Sequence, residues 1–310
     1  MRVFVAGATG AIGKQLVPAL VVAGHQVTAT TRYPRNTAGL SAAGASPVVV
    51  DGLDAVAVGE AVARAEPDVI IHEMTAIPPS FGTRNFDRTF AATNELRTRG
   101  LDHLLAAAAA SGVRRVIAQS YAGWPNARTG GPVKTEDDSL DPDPPPGQRA
   151  SIEAIRYLED TVTHADGITG LALRYGSLYG PGTTDQIVAM IRKRRLPIVG
   201  DGSGVWSFLH IEDAATATVA AVQRGATGVY NIVDDDPAPV SEWVPVVARQ
   251  VGAKPPWHVP VWLGRVFAGD VGVSVMTQVR GSSNAKAKRE LGWQPRWASW
   301  RDGFARGLGT

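Results

Sequence analysis

The feature that most constrains this chain lies in its first 13 residues. Arg2-Val3-Phe4-Val5-Ala6 reads as a short buried strand, and Gly7-Ala8-Thr9-Gly10-Ala11-Ile12-Gly13 follows it directly. In a chain with 34 glycines such a spacing alone says little. Its position says more, because glycines between a strand and a helix permit a tight turn and close approach of a pyrophosphate. The phosphates would meet the free N–H groups and positive dipole end of the helix. A dinucleotide is therefore expected at Gly7, Thr9, Gly10, Ala11, Ile12 and Gly13.

The first 175 residues alternate β-branched runs with longer helical stretches, the pattern of βαβ units and a parallel sheet. Strands are expected at Arg2–Ala6, Gln26–Thr30, Pro47–Val50, Asp68–Ile71, Arg115–Ala118 and Gly170–Leu173. Helices are expected near Ala11–Ala23, Ala55–Arg64, Phe86–Ser111 and Ser151–His164, the first bent locally by Pro18. Six prolines and three glycines break the pattern over Pro125–Gln148, a stretch expected to be disordered or a lid over a site. Beyond Arg174 the chain is irregular and then mainly helical, with many tryptophans.

Composition removes several classes of function. With no cysteine there is no disulfide, zinc-thiolate site, Fe–S cluster or Cys nucleophile, which suits a reducing cytoplasm. A net charge of +2 over 310 residues does not describe a nucleic-acid surface. The basic run Arg192-Lys193-Arg194-Arg195 reads as the solvated end of a helix. No apolar run approaches a membrane span, so a soluble, cytoplasmic protein without nucleic-acid or membrane partners is expected.

The end of the second strand bears on the choice of cofactor. An acid there, roughly 20 residues after the glycines, would bind the ribose 2′-hydroxyl of NAD. This chain has Thr30-Thr31-Arg32 instead, with Arg35 close behind. Guanidinium groups at that place can pair with a 2′-phosphate and stack on adenine, so NADP(H) is expected over NAD(H), with NAD(H) possible. Asp51 and Leu53, after the third strand, are placed to meet the adenine, or Asp51 is a plain helix cap.

Further motifs fall in order along the whole chain: Asp68-Val69-Ile70-Ile71-His72, Leu173-Arg174-Tyr175, Tyr179-Gly180-Pro181-Gly182, Gly200-Asp201-Gly202, Phe208 through Ala214, Gly228 through Ile232, and Lys286 through Pro295. With the glycine turn, they make the chain resemble the extended short-chain dehydrogenase/reductase family, also called the NAD-dependent epimerase/dehydratase family. The resemblance implies an α/β fold, a Rossmann doubly wound parallel sheet with a smaller, mostly helical C-terminal substrate domain. The Rossmann domain would comprise 1–175 with 206–235 returning to it, and 176–205 and 236–310 would form the substrate domain. Cofactor contacts from Thr75, Gln119, Tyr175 and Ser177 are expected with them. Members often dimerise through helices here near Arg97–Ser111 and Ser151–His164, so a homodimer is possible. The stretch containing His210, Glu212 and Asp213 matches a structural motif of the family, and no metal is expected.

The family's usual acid/base does not carry over. It is a Tyr in Tyr-x-x-x-Lys, the Lys lowering the phenol's pKa. The residues four beyond the six tyrosines are Thr37, Pro125, Thr161, Tyr179, Thr183 and Asp234. Aligning Glu159 with the glutamate that usually follows the motif puts Ser151 and Ile155 in the Tyr and Lys places. The family's catalytic hydroxyl falls on Tyr121, with Ser120 beside it. Tyr121 is thus a candidate to supply a proton, Tyr157 a second, and Glu73 an alternative base, since an acid beside the cofactor is costly unless paired or used. His72 is expected to be structural.

On the substrate side, Trp206 takes the place of an Arg that grips the diphosphate of nucleotide-sugars in many members. The exchange favours an uncharged, flat or apolar substrate, with Met74, Phe81 and Trp124, and also Trp257 and Trp262, as further pocket candidates. The expected function is an NADP(H)-dependent oxidoreductase, a reductase of a carbonyl or conjugated group in a small, largely apolar or aromatic metabolite. The alternatives are a redox-neutral epimerase or dehydratase with bound NAD(P), and an NADP(H)-sensing regulator without turnover.

Overall fold

The computed structural model describes residues 1–78 and 82–306. Seven strands form the main sheet: β1 (Arg2–Ala6), β2 (Gln26–Thr31), β3 (Ser46–Val49), β4 (Val69–His72), β5 (Arg115–Tyr121), β6 (Thr169–Tyr175) and β7 (Gly228–Ile232). Their spatial order is β3-β2-β1-β4-β5-β6-β7, and every neighbouring pair is parallel. The chain winds outward from β1 to β3, then crosses back to β4 and winds the other way. The order therefore reverses between β1 and β4, and the crevice outside their carboxyl ends is where a doubly wound sheet binds its ligand.

Six helices cover the sheet: α1 (Ala11–Val22), α2 (Ala55–Ala65), α3 (Phe86–Glu95), α4 (Leu101–Ala110), α5 (Arg149–Thr163) and α6 (Ile211–Gln223). Leu16 and Leu20 of α1 and Ala217 and Ala221 of α6 share one core with Val5, Ile71, Ile117 and Leu173. Val58, Val62, Leu104, Leu158 and Val162, from α2, α4 and α5, share a second core with Phe4, Ile70 and Val116. Ile70 and Ile71 thus face opposite layers, which is why the central strands read as continuous apolar runs. A third core, around Tyr179, Phe208, Trp243, Trp300 and Phe304, gathers α7 (Val240–Gln250), α8 (Val261–Thr277) and the last helix. It accounts for part of the tryptophan content of the tail.

Two regions depart from the sequence expectation. The helix expected over Phe86–Ser111 is interrupted by a π-helical turn at Leu96–Gly100, between α3 and α4. The stretch Pro125–Gln148 is neither structureless nor a free flap. Its residues Val133–Lys134 pair in parallel with Gly281–Ser282, and Asn126 Nδ2 donates to the carbonyls of Arg280 and Gly281 at 3.2 Å and to Ser282 Oγ at 2.9 Å. These bonds satisfy the polar groups that a proline-rich segment cannot place in a regular ladder. No described helix is long and apolar enough to cross a membrane.

Candidate functional site

The glycine turn sits at the carboxyl end of β1, in the crevice where the strand order reverses. Gly7 has φ +95°, and a Cβ there would lie 2.5 Å from the carbonyl carbon and oxygen of Glu73 and 2.7 Å from Met74 N. Gly13 is required for another contact: its Cβ would meet Ala8 O at 2.5 Å and Gly7 O at 2.6 Å as α1 folds onto the turn. Gly10 has no such neighbour, its Cβ meeting only Gly7 O at 3.3 Å. No side chain caps α1, so its first N–H groups face the groove end of the turn. The groove is lined by Gly7, Thr9, Gly10, Thr30, Thr31, Arg32, Tyr33, Val50, Gly52, Glu73, Met74, Thr75 and Leu96.

At the end of β2, Thr31 Oγ1 accepts from Tyr33 N at 3.2 Å and Asn36 Nδ2 at 3.2 Å, which fixes the turn. Arg32 and Arg35 flank the exposed Tyr33 ring, their guanidinium carbons 5.6 and 4.7 Å from its centroid. Arg32 thus lines the end of the groove expected to receive the adenosine, and Arg35 stands over the neighbouring Tyr33 ring. After β3, Val50 and Gly52 line the groove, while Asp51 Oδ1 accepts from Leu53 N at 3.0 Å in a local turn. The cap of α2 is Asp54, which accepts from Ala57 N.

Beyond β4 the side chains alternate between the two layers. His72 points to the α4 side, where its Nε2 lies 2.9 Å from Leu96 O and its Nδ1 accepts from Met74 N at 3.2 Å. The imidazole is therefore neutral, and burial holds its pKa down to about 4. Met74 follows it into the same layer and fills the space over Gly52 and Gly100, on the cofactor groove and away from Trp124. Glu73 points the opposite way, 3% exposed, with its Oε1 2.9 Å from the Tyr175 hydroxyl. Burial pushes this carboxyl up to about 8.

Tyr121 and Tyr175 are backbone register partners on β5 and β6, with the Tyr175 ring in the core shared with α1 and α6 and the Tyr121 ring packed against Ile152 and Ile155. The Tyr121 hydroxyl lies 3.1 Å from Ser177 Oγ. Burial raises its pKa, opposed by the Ser177 hydrogen bond and the charge of Arg97. Gln119 and Ser120 precede it on β5. Ser120 is turned toward α5, where its Oγ donates to Glu159 Oε1 at 2.6 Å, and Glu159 also receives Arg174 Nε and Nη2 at 2.7 and 2.6 Å. The Ser120 hydroxyl is thus engaged in a buried ion pair. Tyr157 lies on the outer face, 42% exposed, donating to Asp102 at 2.8 Å, far from the role of proton donor.

The two positions aligned with the Tyr/Lys pair hold other structure. Ser151 Oγ donates to Asp87 Oδ1 at 2.6 Å and accepts from Asn94 Nδ2 at 3.1 Å, and Ile155 is core. Asn94 Oδ1 in turn accepts from Arg97 Nη1 at 3.3 Å. Arg97 is the residue that sequence reasoning missed. It is 4% exposed, sits on the π-helical turn and makes no ion pair among the described residues. Burial lowers its pKa to about 10, opposed by Glu159 and Tyr121. A signal was present: Phe86, Phe90, Thr93 and Arg97 follow one helical stripe, and the first three are buried. π-turns recur at functional sites.

An aromatic wall continues from Tyr121. Its ring centroid is 5.5 Å from that of Trp124, which lies 5.0 Å from Phe86, itself stacked on Phe90 at 4.4 Å. Trp206 is half-buried, donating from Nε1 to Val275 O at 3.0 Å and lying 5.0 Å from Trp243. Two pocket candidates are corrected. Trp262 is 65% exposed on α8, and Trp257 is exposed under the Arg194 guanidinium, 3.6 Å from its ring. Both belong to the outer surface because the third core is already filled by Trp243 and Trp300. Phe81 lies outside the described residues. His210 Nδ1 accepts from Glu212 N and Asp213 from Arg296 N and Trp297 N, all structural contacts.

The groove fits a dinucleotide on its own evidence: a turn where Gly7 and Gly13 exclude side chains, a Gly10 left open on the ligand side, and an uncapped helix start. The comparisons agree. The NAD dependent epimerase/dehydratase family model matches residues 3–233. A "3-diazoavenalumate denitrifying reductase" of a Streptomyces species is 44% identical, covering 99% of this chain and 100% of the relative. A "2-alkyl-3-oxoalkanoate reductase" of Stenotrophomonas maltophilia is 29% identical over 82% of this chain and 76% of its own length. Among solved structures, UDP-glucose 4-epimerase of Thermus thermophilus in complex with NAD has a TM-score of 0.74 at 22% identity, covering 99% of this chain and 98% of that one. This chain belongs to the NAD-dependent epimerase/dehydratase family of extended short-chain dehydrogenases/reductases. It is an NAD(P)-dependent oxidoreductase of that family.

Proposed function

We propose that the chain is an NADPH-dependent reductase of a small, flat, largely aromatic acceptor, and that the acceptor carries a diazo group. The observation that carries this reading is the 44% identical, full-length relative, whose name describes a diazo acid that loses its nitrogen to a reductase. The occupied Tyr/Lys places support it. When bound, the cofactor supplies a hydride, so the balance R–N₂⁺ + NADPH → R–H + N₂ + NADP⁺ draws no proton from the protein. Such a site has no need of a phenol held at low pKa by a lysine, and Ser151 and Ile155 are free to be structural.

The chain's own residues then bind, orient and exclude water. Gly7, Thr9, Gly10, Ala11, Ile12 and Gly13 hold the pyrophosphate, and Arg32 and Arg35 favour the 2′-phosphate. Tyr121 and Trp124, backed by the buried rings of Phe86 and Phe90, offer a stacking surface for a flat acceptor. Arg97, buried and in no ion pair among the described residues, supplies positive potential beside Tyr121. The test incubates the purified protein with NADPH and an arenediazonium carboxylic acid, measuring evolved dinitrogen and consumed NADPH. Equal amounts are expected; NADPH consumption with ketones or enones but none with diazo acids would overturn the diazo assignment.

A second reading, reduction of a carbonyl or conjugated group, is favoured by Tyr121. Its hydroxyl, hydrogen-bonded to Ser177 and close to a buried cation, is the group placed to give a proton where an acceptor requires one.

A further inference from the structure

Glu73 stands at the point where Gly7 presses on the end of β4, and it lines the same groove as Gly7, Thr9 and Gly10. Its Oε1 contacts the Tyr175 hydroxyl at 2.9 Å, that hydroxyl lies 2.6 Å from Thr218 Oγ1, and Thr218 Oγ1 lies 2.7 Å from Ala214 O. Three oxygen–oxygen contacts at these lengths each require a proton. The two hydroxyls supply two. If Glu73 were ionised, the Tyr175 and Thr218 protons could satisfy only two of the three, leaving a bare contact between lone pairs. A protonated carboxyl supplies the third: Glu73 donates to Tyr175, Tyr175 to Thr218, and Thr218 to the carbonyl of Ala214.

The surroundings agree. Glu73 Oε2 is buried with no hydrogen-bond partner among the described residues. Among the described residues no cation offsets a charge there. β6 faces Glu73 with Tyr175, itself held protonated by burial, while its Arg174 is paired with Glu159 on the α5 side. α6 presents Thr218, and the first turn of α1 carries no acid. His72 is neutral and committed to Leu96 on the opposite layer, while Lys14 and Arg32 are exposed. Desolvation disfavours the carboxylate and leaves the acid form at neutral pH.

We propose that Glu73 stands in the protein as a neutral carboxylic acid and that the dinucleotide binds tightly only while it is neutral. The inference rests on the cofactor reading of the groove. A phosphate-bearing ligand brought to Gly7 and Gly10 adds negative charge beside this carboxyl and removes water from above it. Both effects favour the protonated form, so binding above the carboxyl's titration range must take up a proton. Glu73 is accordingly a binding and positioning residue that makes cofactor affinity pH-dependent.

The test measures NADPH dissociation constants by isothermal calorimetry from about pH 7 to about pH 10, for the full chain and for Glu73→Gln, which keeps a neutral donor. The parent chain is expected to hold its affinity at neutral pH and then lose up to about tenfold per pH unit, as single-proton linkage requires. Glu73→Gln is expected to show no such fall. Above the transition, titrations in two buffers of different ionisation enthalpy should report uptake of about one proton by the parent chain. A flat pH dependence without proton uptake in the parent chain would overturn the inference, as would a parallel fall in Glu73→Gln. Failure to bind NADPH even at neutral pH is a separate outcome that removes the cofactor reading with it.

Discussion

Replacing Gly7 and Gly10 in turn by alanine separates what the turn does for the fold from what it does for the ligand. Gly7 combines φ +95° with a Cβ position 2.5 Å from the backbone carbon and oxygen of Glu73. The left-handed conformation costs an L-residue about 1–2 kcal/mol. The clash is with backbone that cannot yield freely, since Glu73 N is bound to Ala6 O at 2.7 Å. Overpacking of this kind adds about 1–3 kcal/mol. Gly7→Ala should therefore lose roughly 2–5 kcal/mol, a Tm decrease of at least about 3 °C for a chain of this size. Gly10, at φ −69° and ψ 177°, has a backbone any residue adopts, and its Cβ would meet only Gly7 O at 3.3 Å. Gly10→Ala should leave Tm within about 1 °C of the parent or raise it, because alanine narrows the unfolded ensemble. Yet the new methyl stands where a pyrophosphate must approach, so the NADPH Kd should rise at least about tenfold, or 1.4 kcal/mol. Thermal unfolding without ligand and calorimetric titration with NADPH make the comparison. Unchanged NADPH affinity in Gly10→Ala, or an unshifted Tm in Gly7→Ala, would refute the division of roles.

Other substitutions probe separate parts of the site. Arg32→Ala should weaken NADPH by about 10–150-fold, the worth of a charge-assisted hydrogen bond of about 1.5–3 kcal/mol, while NADH changes little; equal effects on both would remove the basis for NADPH preference. Glu159→Gln disrupts the buried bonds to Arg174 and Ser120 and should destabilise by about 3–5 kcal/mol in denaturant titration. A loss below about 1 kcal/mol would show that the pair is not holding α5 to the sheet. Tyr121→Phe should leave reductive denitrification within a few-fold, whereas loss of a general acid would cost about 10²–10⁴-fold on a ketone. A drop of that size with a diazo acceptor would place Tyr121 in the chemistry.

The parts of this molecule legible in the sequence are those governed by local pattern. Val69-Ile70-Ile71 announces a central strand because both its faces are buried, and Gly7 and Gly13 announce the turn because no side chain fits at either. The site itself depends on partners far apart in the chain. Ser120 meets Glu159 across 39 positions, and Glu73 meets Tyr175 across 102. No periodicity encodes such pairings, although the cost of an acid beside the cofactor did single out Glu73. The π-turn was hidden because Leu96-Arg97-Thr98-Arg99 is compatible with an ordinary helix. Nothing in that stretch marks Arg97 as buried. The tryptophans misled in the other direction, since aromaticity suggested pocket walls while Trp262 lies on the outer surface. Residues Pro125–Gln148 showed no pattern because their order comes from bonds to Arg280, Gly281 and Ser282.

The central claim, that bound NADPH reduces a diazo carbon without a proton from the protein, is tested most directly with NADPH deuterated at the transferable position of nicotinamide C4. In ordinary water with an arenediazonium acid, the deuterium is expected on the carbon that lost nitrogen, with one dinitrogen released per NADPH oxidised. Product carrying solvent hydrogen at that carbon, or nitrogen released without oxidation of the cofactor, would contradict it.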